Sequence, residues 1–310
     1  MIPIFEPYLK GNEQKYLTQA IESGWISSQG EYITQFEALF ATQNGMRFAV
    51  ATNSCTTALH LALVALEIGP GDEVLCPNLS FIAPINMVAL TGAKPILVDV
   101  EPNSWAIDPT LLDAAITDKT KAIIVVHPFG HAADMDPILT IAQHHGLLVI
   151  EDVAEAQYGC YKGKRLGTFG NMSCFSFFAN KIMTTGEGGM VLSNTKELDK
   201  ELRIFRDHGM SREKRYLHIV KGYNYRMTNM QAAVGLGQLE YLSTIQQLRA
   251  NQKNLYKKRF IANSKITFRP VANWCEDVHW LTTISLPNAE LRDPLINHLK
   301  ESEIDSRPMV

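Results

Sequence analysis

The feature that leaves this chain least freedom is a repeating unit of helix, turn and strand between residues 53 and 152. NSCTTALHLALVALEI, residues 53–68, keeps Leu, Ala, Val and Ile at helical spacing behind a polar start, which predicts a helix capped by Asn53 or Ser54. GPGDEVLCP then reads as a turn and a short strand. NMVALTGAKPILVDV, LLDAAITDKTKAIIVVHPFG and ILTIAQHHGLLVIEDV repeat the unit. Their strands, such as AIIVV at 122–126, are apolar at successive positions, so both faces are buried. The expected fold class is α/β, a mainly parallel sheet flanked by helices.

In such a sheet ligands bind beyond the carboxyl ends of the strands. The polar residues that close the apolar runs, Asp99, His127, Glu151 and Asp152, should gather along that edge. FSFFANKIMTTGEGGMV, residues 175–191, brings three aromatic rings and Ser176 toward the core, breaks at Asn180, and sets Lys181 before Thr-Thr-Gly-Glu-Gly-Gly. Lysines are mostly exposed, so a lone one at the mouth of a core strand calls for a chemical reason. GGMVLSN then reads as another strand, followed by a charged region from Lys196 to Lys221.

Three elements converge. The helix start at Asn53 to Thr57 offers unpaired N–H groups and hydroxyls, a seat for an anion. Asp152 ends a strand where a carboxylate needs a hydrogen-bonded or cationic partner. Lys181 supplies a primary amine. One cofactor unites a phosphate seat, a buried acid and a lone amine: pyridoxal 5'-phosphate, held as a Schiff base by the lysine with an acid against its ring nitrogen.

EDVAEAQYG, FSFFANKIMTTGEGGMV and GYNYRMTNMQAAVGLGQLE at 222–240 make the chain similar to the DegT/DnrJ/EryC1/StrS sugar aminotransferases, and the resemblance runs from Pro7 to the last residues. It implies the type I, aspartate aminotransferase-like fold. A composition shift near Tyr241, where YLSTIQQLRANQKNLYKKRFIA begins a long helix and ITFRPV and HWLTTISLP suggest strands, divides the chain. Residues 1–240 are expected to form the large cofactor-binding domain and 241–310 a smaller α+β domain. Family members usually continue past ESEIDSRPMV, so the small domain is expected to be incomplete, with Arg307 and Pro308 on a strand and Ile304 and Val310 short of packing partners.

Residue by residue, the resemblance implies that Lys181 forms the Schiff base and that Asp152 keeps the pyridine nitrogen protonated. Glu155 matches the position that contacts the ring hydroxyl. Thr56, Thr57 and Ser176 match the phosphate seat, and Phe81 the aromatic that stacks on the ring. Asn224 matches an asparagine that reaches the phosphate of the neighbouring subunit, so a homodimer with shared active sites is expected. Two positions depart from the pattern: Cys55 stands where the family has glycine, and Gln157 where close relatives have histidine.

The implied activity is ping-pong transamination from an amino acid, glutamate by family likeness, to a nucleotide-linked keto-deoxy sugar. HPFGHAADMDPI and FFANKIMTTGEGG are nearest in wording to the branch that acts on GDP-4-keto-6-deoxymannose for cell-surface polysaccharide or O-antigen. A dehydratase branch has histidine at the lysine position, and a non-catalytic sensor would tolerate loss of Asp152 or Lys181. Both residues are present here.

Composition bounds the remaining options. A net charge of -3 over 310 residues, with no basic block, gives no footprint for nucleic acid. The apolar runs are strand-length and too short to span a bilayer. Five cysteines without a CxxC pair point to a reducing cytoplasm. His144 and His145 read as a helix end, and His127 and His131 lack ligand spacing, so no metal site is expected. The REKRY run at 212–216 reads as a solvated loop.

Overall fold

The computed structural model describes residues 1–263 and 265–309, which leaves Val310 outside the described residues. Helices α1 (Glu13–Glu22) and α2 (Glu31–Gln43) precede the sheet. Strands β1 (Phe48–Thr52), β2 (Glu73–Pro77), β3 (Lys94–Val98), β4 (Thr120–Val126) and β5 (Leu148–Asp152) alternate with α3 (Cys55–Ala65), α4 (Ala83–Leu90), α5 (Leu112–Ala115) and α6 (Met135–His145). The two-residue strands β6 (Cys160–Tyr161) and β7 (Lys164–Arg165) lead to β8 (Met172–Ser176) and β9 (Gly189–Ser193), then to α7 (Lys196–Arg206) and α8 (Asn229–Glu240).

The main sheet has seven strands in the order β1-β9-β8-β5-β4-β2-β3. Pairings from β8 across to β3 are parallel, while β9 is antiparallel to both β8 and β1. Only β9 is therefore reversed, and the carboxyl ends of β1, β5 and β8 share one edge with the amino end of β9. The register is specific: Gly189 sits opposite Thr52 on one side and Ser176 on the other, and Asp152 sits opposite Cys174.

Both faces are covered, as the apolar runs require. Side chains alternate along a strand, so Ile123, Val125 and Phe175 join the core on one face, and Ala122, Ile124, Val126 and Cys174 the core on the other. Two of the three rings of the aromatic run enter the interior, Phe175 and Phe177, while Phe178 is 44% exposed, because β8 ends at Ser176 and the chain turns away from the sheet. Phe40 of α2 packs edge-on against Phe175 at 5.0 Å and Phe177 at 5.3 Å, the geometry preferred by ring quadrupoles. On the opposite face α3 begins at its cap Ser54, whose Oγ accepts from the N–H of Thr57.

After α8 the chain turns at Tyr241 into α9 (Leu242–Phe260), then into the short strands β10 (Thr267–Phe268), β11 (Cys275–Glu276) and β12 (Ile284–Ser285) and helix α10 (Arg292–Glu301). β11 leaves its neighbours and pairs antiparallel with β6, which brings residues 272–281 back against the main body. We propose the domain division at Tyr241, with this strap crossing it. The expected strand around Arg307 and Pro308 is not formed: residues 305–309 are irregular. Ile304 does find a partner, through a parallel bridge to Ile2 in which Ile2 N–H donates to Glu303 at 2.6 Å and Asp305 N–H donates to Ile2 at 2.9 Å.

β1 is an edge strand, and exposed edges invite unwanted pairing. Here side chains occupy the edge. Glu37 accepts from Ala51 N–H and from Arg203 and Arg206, each at 2.8 Å, while those arginines donate to the carbonyls of Ala49 and Ala51, each at 2.9 Å. Replacing Glu37 with Ala leaves the Ala51 N–H and Arg206 without their carboxylate acceptor and Arg203 with Asp199 alone, at 2.9 Å. We expect Glu37→Ala to lower the unfolding free energy by about 3 kcal/mol, read as a reduced midpoint at unchanged slope in urea denaturation. An unchanged midpoint would show that the network contributes nothing.

Candidate active site

The site begins with a glycine. A Cβ on Gly189 would lie 2.4 Å from the carbonyl oxygen of Ser54 and 2.7 Å from the nitrogen of Cys55. Without that Cβ the first turn of α3 rests directly on the sheet edge. A helix start leaves backbone N–H groups without partners inside the helix, and here they open above the row Thr52, Gly189, Ser176. Thr57 Oγ1 can donate to Asn53 Oδ1 at 2.6 Å or to the Ser54 carbonyl at 2.9 Å, which fixes the turn. Thr56 is partly exposed beside it, and Ser176 is buried at the end of β8.

Asp152 closes β5 and is 6% exposed. Its Oδ1 accepts from Ala154 N–H at 3.0 Å. Burial raises its pKa, and the Ala154 N–H, Lys181 and His127 oppose the rise. Glu155 is also buried, accepts from Phe129 N–H at 2.8 Å, and has its pKa raised by burial against the opposing charge of Lys181. The Cys55 thiol is pushed well up by burial and by the charge of Asp152. These mutual effects place Cys55, Asp152, Glu155 and Lys181 in one cluster.

Lys181 stands on the excursion between β8 and β9, with its Nζ 4.0 Å above the ring of Trp280. The Trp280 indole N–H donates to the Asn180 carbonyl at 2.6 Å, and the ring stacks on Phe129 at 5.6 Å. Phe129 has φ 48°, a left-handed conformation that costs a non-glycine residue energy and marks constrained backbone. Its carbonyl and that of Pro128 accept from Arg269 at 3.0 Å and 2.8 Å. Burial pushes the Arg269 guanidinium down to about 10, while Asp277, Cys275 and Glu155 pull it back up.

The remaining expected residues sit less deeply. Phe81 is 58% exposed in the turn between β2 and α4, on the same edge of the sheet. Asn224 is exposed beside the start of α3: its carbonyl accepts from Asn53 Nδ2 at 3.5 Å and its Oδ1 from Arg226 Nε at 3.0 Å. Of the polar strand ends, Glu151 does not face the amine. It is fully buried and accepts from the N–H groups of Gly167, Phe169 and Gly170 at 2.7 to 2.8 Å. His127 contacts it at 3.2 Å through Nε2, while His127 Nδ1 accepts from Ala133 N–H at 3.0 Å. That pair of contacts selects the Nε2–H tautomer.

Sequence reasoning missed Trp280, Phe129 and Arg269 as parts of the lysine's surroundings. One signal was available: HPFGH contains Gly130, at φ 85°, where a Cβ would meet the carbonyl oxygen of Val278. A glycine between two histidines in a strand-end loop advertises a close backbone approach.

The residues fit pyridoxal phosphate. A helix start made accessible by Gly189 offers an anion seat, a buried carboxylate lacks a full cationic partner, and a buried acceptor, Asn180 Oδ1, has no donor among the described residues. The chain matches the model of the DegT/DnrJ/EryC1/StrS aminotransferase family over residues 7–310. It is 45% identical over 311 residues to GDP-perosamine synthase of Caulobacter vibrioides, covering 99% of this chain and 84% of that one. The Vibrio cholerae GDP-perosamine synthase is 41% identical over 311 residues, with the same 99% and 84% coverage. Among solved structures, S. venezuelae DesV in complex with a ketimine intermediate superposes with a TM-score of 0.89 at 36% identity, covering 95% of this chain and 78% of that one. A Streptococcus pneumoniae protein solved in its PMP form gives a TM-score of 0.95 at 29% identity, covering 100% and 84%. The chain belongs to the DegT/DnrJ/EryC1/StrS aminotransferase family, as a pyridoxal phosphate-dependent aminotransferase of nucleotide-linked sugars.

Proposed function

We propose that the chain transfers the amino group of glutamate to C4 of GDP-4-keto-6-deoxymannose, yielding a GDP-linked amino sugar for cell-surface polysaccharide or O-antigen. The observation that carries the chemistry is the meeting of an amine, a buried acid and a helix start on one sheet edge. The choice of sugar rests on relatives named GDP-perosamine synthase at 41% to 45% identity.

Pyridoxal phosphate, when bound, supplies an electron sink for the substrate carbon. The α3 start, with Thr56 and Thr57, and Ser176 hold its phosphate. Asp152, whose carboxyl is raised by burial, would hold a proton on the pyridine nitrogen. Glu155 faces the ring hydroxyl and Phe81 covers a ring face. The Lys181 amine would carry a proton between the donor's Cα and the cofactor. Asn224 reaches the neighbour's phosphate in a homodimer, a role supported by its exposure beside the α3 start. Exposed apolar residues at Tyr216 and Ile219 support a covered surface nearby. The five cysteines are free and buried, which supports a reducing cytoplasm. Among the described residues no helix is long and apolar enough to cross a membrane.

Borohydride reduction of the cofactor-loaded protein should fix the label on Lys181, whereas Lys181→Ala should bind cofactor and remain unlabelled; peptide mapping that finds the label elsewhere removes the assignment. Asp152→Asn should cut turnover by about two to three orders of magnitude with little change in the urea midpoint. Near wild-type turnover in that variant would end the proposed role of Asp152. Mixing an Asn224→Ala chain with a Lys181→Ala chain should restore activity, because a mixed dimer contains one intact site, up to about a quarter of wild type for random pairing. A mixture no more active than its components would place Asn224 outside the neighbour's site.

A further inference from the structure

We propose that Gln157 is a positioning residue that sets where Lys181 and Ser176 stand relative to Asp152. The inference rests on the function proposed above and deepens it. Gln157 has no exposed surface and lies in the turn that follows Asp152 and carries Glu155. Its Nε2 donates to the carbonyl of Ser176, and its Oε1 accepts from the N–H of Met183 at 3.0 Å. Ser176 is the last residue of β8 and Met183 lies on the returning limb, so one planar amide spans the neck of the excursion that bears Lys181.

Other contacts close the same excursion. The Phe177 carbonyl accepts from Thr185 N–H and Thr184 Oγ1, both at 2.9 Å, and Lys181 N–H donates to the Phe178 carbonyl at 2.9 Å. These ties lie within the excursion and fix its shape. Gln157 instead joins it to the segment that carries both acids, and so fixes its position. A carboxamide suits the task because it presents one donor side and one acceptor side on a rigid plane. A carboxylate would accept on both sides and oppose the Ser176 carbonyl; a thioether would serve neither.

The test uses cofactor-free protein titrated with pyridoxal phosphate. Gln157→Met keeps length and flexibility but removes both hydrogen bonds to buried groups. We expect cofactor affinity to fall about thirtyfold, the equivalent of two hydrogen bonds of about 1 kcal/mol each, and the borohydride-fixed label on Lys181 to appear more slowly. Amide exchange should accelerate at residues 178–185 while the amides of β4 and β5 keep their wild-type rates. Affinity within twofold of wild type with an unchanged labelling rate would overturn the proposal. So would exchange accelerated equally in β4 and β5, since that reports general support of the fold. If Gln157→Met does not fold, Gln157→Glu is read by the same criteria, as it keeps the acceptor for Met183 and loses the donor to Ser176. A wild-type protein that takes no label on Lys181 would reject the aminotransfer reading itself, a result distinct from a labelled wild type and an unaffected variant.

Discussion

At the sheet edge the carbonyl of Ser54 and the nitrogen of Cys55 come so close to Gly189 that no side chain can stand between them. Much of the site depends on that approach. It puts the free N–H groups of α3 above the ends of β1 and β8 instead of a side chain's width away. It also demands the reversal of β9, because only an antiparallel β9 presents its first residue, not its last, at the edge where the parallel strands end. The glycines of TTGEGG therefore serve packing as well as loop flexibility: a Cβ on Gly188 would meet Thr185 Oγ1 at 2.3 Å and Met227 at 2.7 Å. A residue with a Cβ at 189 would have to lift the helix start, and the anion seat would move away from Ser176 and Asp152.

The charges at this edge set two buried carboxyl groups against one amine. Burial raises both Asp152 and Glu155, and Lys181 offsets each only in part. A carboxyl whose folded pKa is raised costs stability at pH above that value. The cost vanishes as pH falls below the unfolded value of about 3.9 for aspartate. A cation placed against Asp152 relieves the same cost at neutral pH, so binding and stability are linked through one group. Glu151 shows the contrasting solution one residue earlier. It points to the other face of the strand and satisfies its oxygens with three backbone N–H groups and His127. Adjacent carboxylates on β5 thus divide into one that organises a loop and one left with its charge to offer.

How much of this was legible in the sequence follows from the range of each interaction. The strands β2 to β5 and helix α3 were readable because their periodicity is local, and α3 differs from expectation only in ending at Ala65. Lys181 and Asp152 were readable because a lone amine and a lone acid at strand ends break the apolar pattern. The direction of β9 was not, since GGMVLSN would look the same in either orientation. The roles of Glu151 and Gln157 were hidden for a related reason: both act on backbone groups 16 to 26 residues away, and backbone partners carry no residue signature. The strand expected at Arg307 and Pro308 is not formed: among the described residues the last pairing is the single bridge of Ile304 with Ile2.

The strap at 272–281 explains why a lysine in the first part of the chain is bounded by a tryptophan near residue 280. β11 pairs with β6, Val278 N–H donates to the Gly130 carbonyl at 3.0 Å, and Trp280 reaches Asn180 and the face above which Lys181 lies. The loop at Gly130 also supplies the N–H that Glu155 accepts, and β6 follows the turn after Asp152. Arg269 strengthens the same arrangement from the outside by drawing together the carbonyls of Pro128 and Phe129. A rigid parallel sheet can place strand ends but cannot wall them from solvent, because its own edge is where the chain turns away. That wall comes from sequence more than a hundred residues distant, held by a glycine that admits it and an arginine that fixes it.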